Sequence, residues 1–272
     1  MQKISLIIPL RLTPGTFEGP QRLQRLCETV PRDLFEILIV DYGTQEDCLA
    51  PLQALAAEGI EIARHPRPQK LFSIGGARDF GVQMARQKII MFNDIDFLAP
   101  AEMYRRIHAE AMRRDLATNM FDFFCVPVLF LTEAGSAHWF AEQKAGRPFV
   151  KTFEVSWLEA NSDDIQFTAF GSSAMVVNRH HYLSLGGHDP DFVGHGAEDY
   201  DILHRLAALA PKGPRPHDYE TDYRDNNVRN YWGFRAFFAL YGLDVFLAGI
   251  HLVHLWHPRR GERGYFRSGP NF

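Results

Sequence analysis

At 272 residues and 46% hydrophobic composition the chain can bury one sizeable core, so a single elaborated domain with one active site is the expectation. Lys and Arg total 29 against 33 Asp and Glu, a formal charge of −4, so no overall basic field is available to hold nucleic acid or an anionic membrane. Cys27, Cys48 and Cys125 are scattered and form no CxxC pair, which argues against a disulfide framework or a zinc knuckle and for a reducing cytoplasm.

The amino terminus passes from Met1-Gln2-Lys3 directly into Ile4-Ser5-Leu6-Ile7-Ile8-Pro9, an apolar run too short for a signal peptide. That run and Phe35 to Val40 carry β-branched residues and end at turn formers, as buried parallel strands do. Between them, Gln21 to Val30 sets Leu23, Leu26 and Val30 at helical spacing, and Cys48 to Glu58 repeats the pattern with Leu49, Leu52 and Leu55. A third helix is predicted over Gly76 to Gln87, followed by a strand, Lys88 to Phe92, that delivers Asn93-Asp94-Ile95-Asp96. This alternation is doubly wound, and such sheets gather ligands at the carboxyl ends of their strands.

Ala101 to Leu116 reads as helix and Phe121 to Leu131 as strand, whereas residues 132–170 mix aromatics, glycine and charge without a clear period. Ala174 to Val177 is a further short strand candidate before Asn178-Arg179. Lys212 to Asn227 is polar, follows Pro211 and holds Pro214 and Pro216, the composition of a loop that can close over a ligand. Tyr231 to Trp256 is rich in Phe, Leu and Ala, but Arg235, Asp244 and two glycines interrupt it, so burial is favoured and peripheral membrane association is the alternative.

Asp94 and Asp96 lie two apart directly after an apolar strand, where a turn can aim both carboxylates at one Mg²⁺ or Mn²⁺ instead of at opposite sheet faces. A solvated strand end or a helix cap would use the same residue type. A second acidic group follows the glycines of Gly186-Gly187-His188-Asp189-Pro190-Asp191-Phe192, where Gly194-His195-Gly196-Ala197 leads to Glu198-Asp199-Tyr200-Asp201 and Arg205-Leu206. Glu198, Asp199 and Asp201 open a helix whose first turn favours negative charge.

The stretch Ser73 to Phe97, with its Gly-Gly-Ala-Arg helix start and Asp-Ile-Asp triplet, resembles the family 2 glycosyltransferases. Asp79 stands where that family usually has Asn. The downstream block is similar to the family's GG-F-D-x-F-x-G-x-G-x-E-D-x-D-x-x-x-R-L pattern, shared with the β-1,4-galactosyltransferase and chondroitin-polymerase groups, with His188 in place of the aromatic after GG. The resemblance is strongest over residues 1–100 and 168–206. It implies a GT-A fold, an α/β Rossmann-like mixed sheet flanked by helices, with residues 1–100 as the nucleotide-sugar half and 101–272 as the acceptor half of one domain.

The same resemblance implies an inverting, metal-dependent transfer from a nucleotide-sugar, expected to be a UDP-sugar, to an oligosaccharide or glycolipid hydroxyl in bacterial surface-polysaccharide synthesis. Pro9, Arg11, Asp41, Arg78 and Asp94 would line the nucleotide side, with Asp41 accepting from the base and the arginines near phosphate. Asp94, Asp96 and a late histidine would hold Mn²⁺ or Mg²⁺, His257 being the first choice and His254 the second. Asp199 matches the family's general base, and Glu198 would orient the acceptor hydroxyl. In a fully extended strand His251 and His257 share one face and His254 takes the other, so the histidines converge only if the chain bends.

Arg259 and Arg260 are candidates to assist the diphosphate, and Trp139, Trp157 and Trp232 candidates to stack on sugars, yet solvated surface and core or rim packing account for them better, and none is assigned to the site. Rival readings are a sugar nucleotidyltransferase, which needs a Gly-rich phosphate loop that Leu10 to Gly19 does not supply, and a non-catalytic sugar-binding module, which would not need Asp94, Asp96 and Asp199 together. The expected location is the cytoplasm, at or near the inner face of the membrane.

Overall fold

Seven consecutive buried residues, Ile4–Leu10, form β1, the strand around which the molecule is arranged in its computed structural model, which describes residues 2–146, 163–192, 196–223 and 231–258. Gly194, His195, Trp157, Arg259 and Arg260 lie outside the described residues. β1 pairs in parallel with β2 (Phe35–Asp41) on one side and β4 (Ile89–Phe92) on the other, and β3 (Glu61–Arg64) extends the sheet beyond β2. β9 (Met175–Asn178) and β6 (Phe123–Cys125) complete it antiparallel, giving the order β3-β2-β1-β4-β9-β6. The doubly wound expectation therefore holds for the first four strands, and both halves of the chain contribute to one mixed α/β sheet.

Both faces of the sheet are covered, and side-chain alternation shows how. Ile4, Leu6 and Ile8 point to the face packed by Leu23, Leu26 and Cys27 of α1 (Gly19–Thr29), by Leu52 and Leu55 of α2 (Ala50–Ala57) and by Ile107 of α4 (Ala101–Arg113). Ile7, Leu38, Val40, Ile90 and Phe92 point to the other face, against Ala77 and Val82 of α3 (Ile74–Met84) and Leu203 and Phe237 of two later helices. α3 approaches so closely that a Cβ at Gly81 would stand 2.4 Å from Ile7 Cγ2. Ser73 caps α3 by accepting from Gly76 N–H at 3.1 Å.

A second sheet, β5-β10-β7-β8, positions the site. It joins β5 (Phe97–Leu98), β7 (Val128–Leu131), β8 (Ile165–Ala169) and β10 (Leu252–His254). The single strand expected over Phe121 to Leu131 is corrected here: it divides at Val126-Pro127 into β6 and β7, which serve different sheets. Proline has no N–H to continue the β6 ladder, and its carbonyl accepts from Leu252 N–H at 2.8 Å instead. Residues 133–144 form α5 (Glu133–Lys144), capped by Thr132 Oγ1, inside the stretch that showed no period.

The apolar segment near the carboxyl end is a 15-residue helix, Gly233–Leu247, with Ala236, Phe237, Phe238 and Tyr241 buried. No helix among the described residues is long and apolar enough to cross a membrane.

Candidate active site

β10 runs antiparallel to β5 with His254 opposite Phe97, the residue that follows Asp96. Leu255 N–H donates to Asp96 O at 2.9 Å, ending the ladder, and the chain then bends. That bend brings His254 and His257 to the same place, their ring centroids 5.2 Å apart, while His251 is buried against Phe246 elsewhere. One ligand atom from each of Asp96, His254 and His257 lies within 4.8 Å of the other two. Both histidines named from sequence are therefore brought to Asp96, and Asp94 is outside this group of three.

The surroundings of these three residues set what they could hold. His254 is stacked on Phe130 at 4.4 Å and meets Phe97 edge-on at 5.7 Å. Burial lowers its pKa to about 4, which keeps the ring neutral with a lone pair near pH 7. His257 Nδ1 lies 2.9 Å from Pro258 O, which can only accept, so Nδ1 is the donor there and Nε2 faces Asp96. That Nε2 lies 3.8 Å from Asp96 Oδ2. Two imidazole nitrogens and one carboxylate oxygen suit Mn²⁺ better than a harder cation that prefers all-oxygen ligands.

Each aspartate of the triplet has its own arginine. Asn93, fully buried, donates to Asp94 O and Phe97 O at 2.8 and 2.9 Å and so pins the turn that carries both. Arg78, 1% exposed, donates to Asp94 Oδ1 at 3.0 Å and stands 3.5 Å from Glu198 Oε1. Arg22, 3% exposed, donates to Asp96 Oδ1 at 2.5 Å. Ser173 Oγ is 3.4 Å from the second oxygen of Asp94.

At the carboxyl ends of β1 and β2, Pro9 is a buried strand residue and Asp41 is 1% exposed. Asp41 Oδ1 accepts from Thr44 N–H at 2.7 Å, and its other oxygen is 3.5 Å from Arg64 Nε. Arg11 donates to the carbonyls of Tyr42, Gln69 and Lys70 at 2.7, 2.6 and 2.9 Å, and its guanidinium sits 5.6 Å from both the Tyr42 and Phe72 rings. It thus anchors the segment after β3 beside Asp41. Tyr42, His65 and Phe80 form a run of aromatic contacts at 4.6 and 4.8 Å beside the same strand ends.

The downstream acidic block opens the helix Glu198–Leu209 after Ala197, whose φ of 64° turns the chain into it. Glu198 points inward, accepting from Gly196 N–H at 2.8 Å and facing Arg78, whereas Asp199 is only partly buried. Asp201 and Arg205 pair along the helix, and Arg205 donates to Leu185 O at 2.9 Å, so this part of the motif ties the helix to the Gly186-Gly187 turn.

The two departures from the family pattern touch each other. Asp79 Oδ1 accepts from His188 N–H at 3.0 Å, lies 3.1 Å from His188 Nδ1, and accepts from the Tyr182 hydroxyl. A Cβ on Gly187, whose φ is +78°, would stand 2.7 Å from the same carboxylate. Asn would offer Asp79's oxygen without its charge, so the acid at 79 is matched to an imidazole at 188.

Arg22 and Ser173 are absent from the residues picked out in the sequence. Arg22 follows Gln21 at the polar start of an amphipathic helix and looks like a solvent-facing residue, so no local signal marks it. Trp139 is buried and Trp232 is 53% exposed.

The glycosyltransferase like family 2 model matches residues 5–269. No curated protein matches the sequence. Among solved structures, a 1–349 fragment of S. aureus TarS is similar at 11% identity and TM-score 0.44, over 75% of this chain and 54% of that one. The Pyrobaculum calidifontis mannosyltransferase PcManGT, in complex with GDP-Man and Mn²⁺, is similar at 15% identity and TM-score 0.45, over 76% and 52%. S. aureus TarS is similar at 12% identity and TM-score 0.47, over 75% and 33%. The chain thus spans about half or less of the length of these relatives.

Proposed function

The chain belongs to the glycosyltransferase like family 2, and on that premise we propose that it transfers a sugar from a nucleotide-sugar to a hydroxyl of a glycan acceptor, using a divalent cation. The observation that carries the metal-dependent reading is the convergence of Asp96 with His254 and His257, which lie far from it in sequence. Mn²⁺, or Mg²⁺, held there supplies Lewis-acid charge neutralisation to the departing nucleoside diphosphate.

Asp94, steadied by Arg78 and Ser173, faces the donor side, and Pro9, Arg11 and Asp41 border the nucleotide, with Asp41 as the acceptor for base N–H groups. Asp199, at the first turn of its helix and partly exposed, takes the proton from the attacking hydroxyl. Direct displacement then inverts the anomeric carbon. Glu198 orients the acceptor hydroxyl, and its approach to Arg78 holds the Asp199 helix against the Asp94 turn. UDP as the nucleotide, an oligosaccharide or glycolipid acceptor, and surface-polysaccharide synthesis at the inner membrane face rest on the motif resemblance.

The test is release of nucleoside diphosphate from a panel of UDP-, GDP- and CDP-sugars with Mn²⁺, with the configuration of the product followed by NMR. One donor turned over with inversion, and silenced by EDTA and by Asp96→Asn, is the expected result. Turnover that EDTA leaves intact contradicts the cation assignment, and no turnover of any nucleotide-sugar, water included as acceptor, contradicts the transfer itself.

A further inference from the structure

Arg22 is buried where a helix surface normally meets water, and its partners explain why. Its guanidinium donates to Asp96 Oδ1 at 2.5 Å, to Leu255 O at 3.2 Å and to Trp256 O at 2.6 Å. Phe17 lies over it at 5.2 Å from the ring centroid and meets Trp256 edge-on at 6.0 Å, closing it from solvent. A guanidinium taken out of water is costly unless its donors meet well-placed acceptors, and here both terminal nitrogens do. Apart from Glu18 Oε2, 3.5 Å away one turn earlier, the acceptors come from two segments far apart in sequence, the Asp94-Ile95-Asp96 turn and the residues immediately before His257.

The geometry has two consequences for the cluster. With Oδ1 taken by Arg22, Asp96 turns Oδ2 toward His257. Arg22 holds the carbonyls of residues 255 and 256, and with them the bend that swings His257 back beside His254.

We propose that Arg22 is a positioning residue of the cation site, which makes Asp96 a one-oxygen ligand and holds the histidine segment against it; this rests on the cation reading given above. A fixed positive charge beside Asp96 also repels a cation, so the two roles open to Arg22 have opposite signs. If it acts by position, its loss weakens metal binding. If it acts only as a counter-charge, its loss tightens it. The planar fork reaches Asp96 and both carbonyls at once and an ammonium on a flexible stem does not, so lysine keeps the charge but not the geometry.

The experiment measures Mn²⁺ affinity by electron paramagnetic resonance on the whole chain, wild type, Arg22→Met and Arg22→Lys, with nucleoside diphosphate present, alongside the far-UV spectrum and unfolding midpoint of each. Outer-shell partners of metal ligands typically contribute about 10–100-fold in affinity. Arg22→Met is expected to lose at least about tenfold and Arg22→Lys to lie between it and wild type. Should Arg22→Met fail to fold, Arg22→Lys decides, with weaker Mn²⁺ binding in a folded protein as the supporting result. Affinity within twofold of wild type, or tighter, in a folded variant overturns the positioning role. Wild type that takes up no Mn²⁺ overturns the cation reading, and this proposal with it.

Discussion

Arg78 donates to Asp94 at 3.0 Å and faces Glu198 at 3.5 Å, so the Asp94-Ile95-Asp96 turn and the helix Glu198–Leu209 share one buried guanidinium. The charge of Arg78 is stabilised by these two acids and by Asp199 against a desolvation that opposes it. Removing one member of such a buried group leaves the others uncompensated, at about 3–5 kcal/mol in dry surroundings. Asp94 is 23% exposed, which places Arg78→Met at the lower end, and chemical denaturation is expected to show a loss of about 3 kcal/mol. A loss under about 1 kcal/mol would mean that the acids find other partners.

Asp199→Asn removes the proposed proton acceptor and keeps the shape. Donor binding is expected to stay within a few-fold of wild type, while transfer falls by about 10²–10⁴, the usual contribution of a general base. Single-turnover measurement with saturating donor separates the two, and transfer near the wild-type rate would remove Asp199 from the role.

His251 is buried and its pKa is lowered from 6.5 to about 4 by that burial, with Arg106 adding to the effect. Between those values the unfolded chain takes up a proton that the native state refuses, so stability falls as pH drops from about 6.5 to about 4 and is unaffected above that window. The shift corresponds to about 3 kcal/mol at the acid end. His251→Phe is expected to reduce the slope of the denaturation profile over this range, with His65, His181, His204 and His254, all lowered by burial, contributing to what remains; an unchanged profile would contradict the burial argument.

Gly81→Ala sets two effects against each other. A helical alanine gains up to about 1 kcal/mol over glycine. Its Cβ would meet Ile7 Cγ2 at 2.4 Å and Val40 Cγ2 at 2.8 Å, both in the packed sheet. Overpacking of this kind costs about 1–3 kcal/mol. Net destabilisation of about 1–2 kcal/mol is expected by urea unfolding, and a more stable variant would show that α3 can move off the sheet.

The parts of the fold that could be read from sequence are those whose pattern is local. β1, β2 and β4 are near-continuous apolar runs, and α3 with the Asp94-Ile95-Asp96 turn carries a recognisable motif. β3 was not visible because only Ala63 of its four residues is buried, and α5 because its apolar residues gather on no single face. The division of Phe121 to Leu131 depends on which sheet each half joins, a tertiary choice that an apolar run does not reveal. The histidines were picked out by type and spacing, but their convergence follows from a strand that stops at His254. Arg22 was invisible for the opposite reason: its partners lie in segments whose approach only the folded chain defines.

The most direct measurement is titration calorimetry of the purified protein with UDP, GDP and CDP, each with Mn²⁺ and again with EDTA, in wild type and Asp96→Ala. One nucleotide that binds with Mn²⁺, and is lost both with EDTA and in Asp96→Ala, is the result this account expects. Equal nucleotide affinity with and without Asp96, or no binding of any nucleotide, would contradict it.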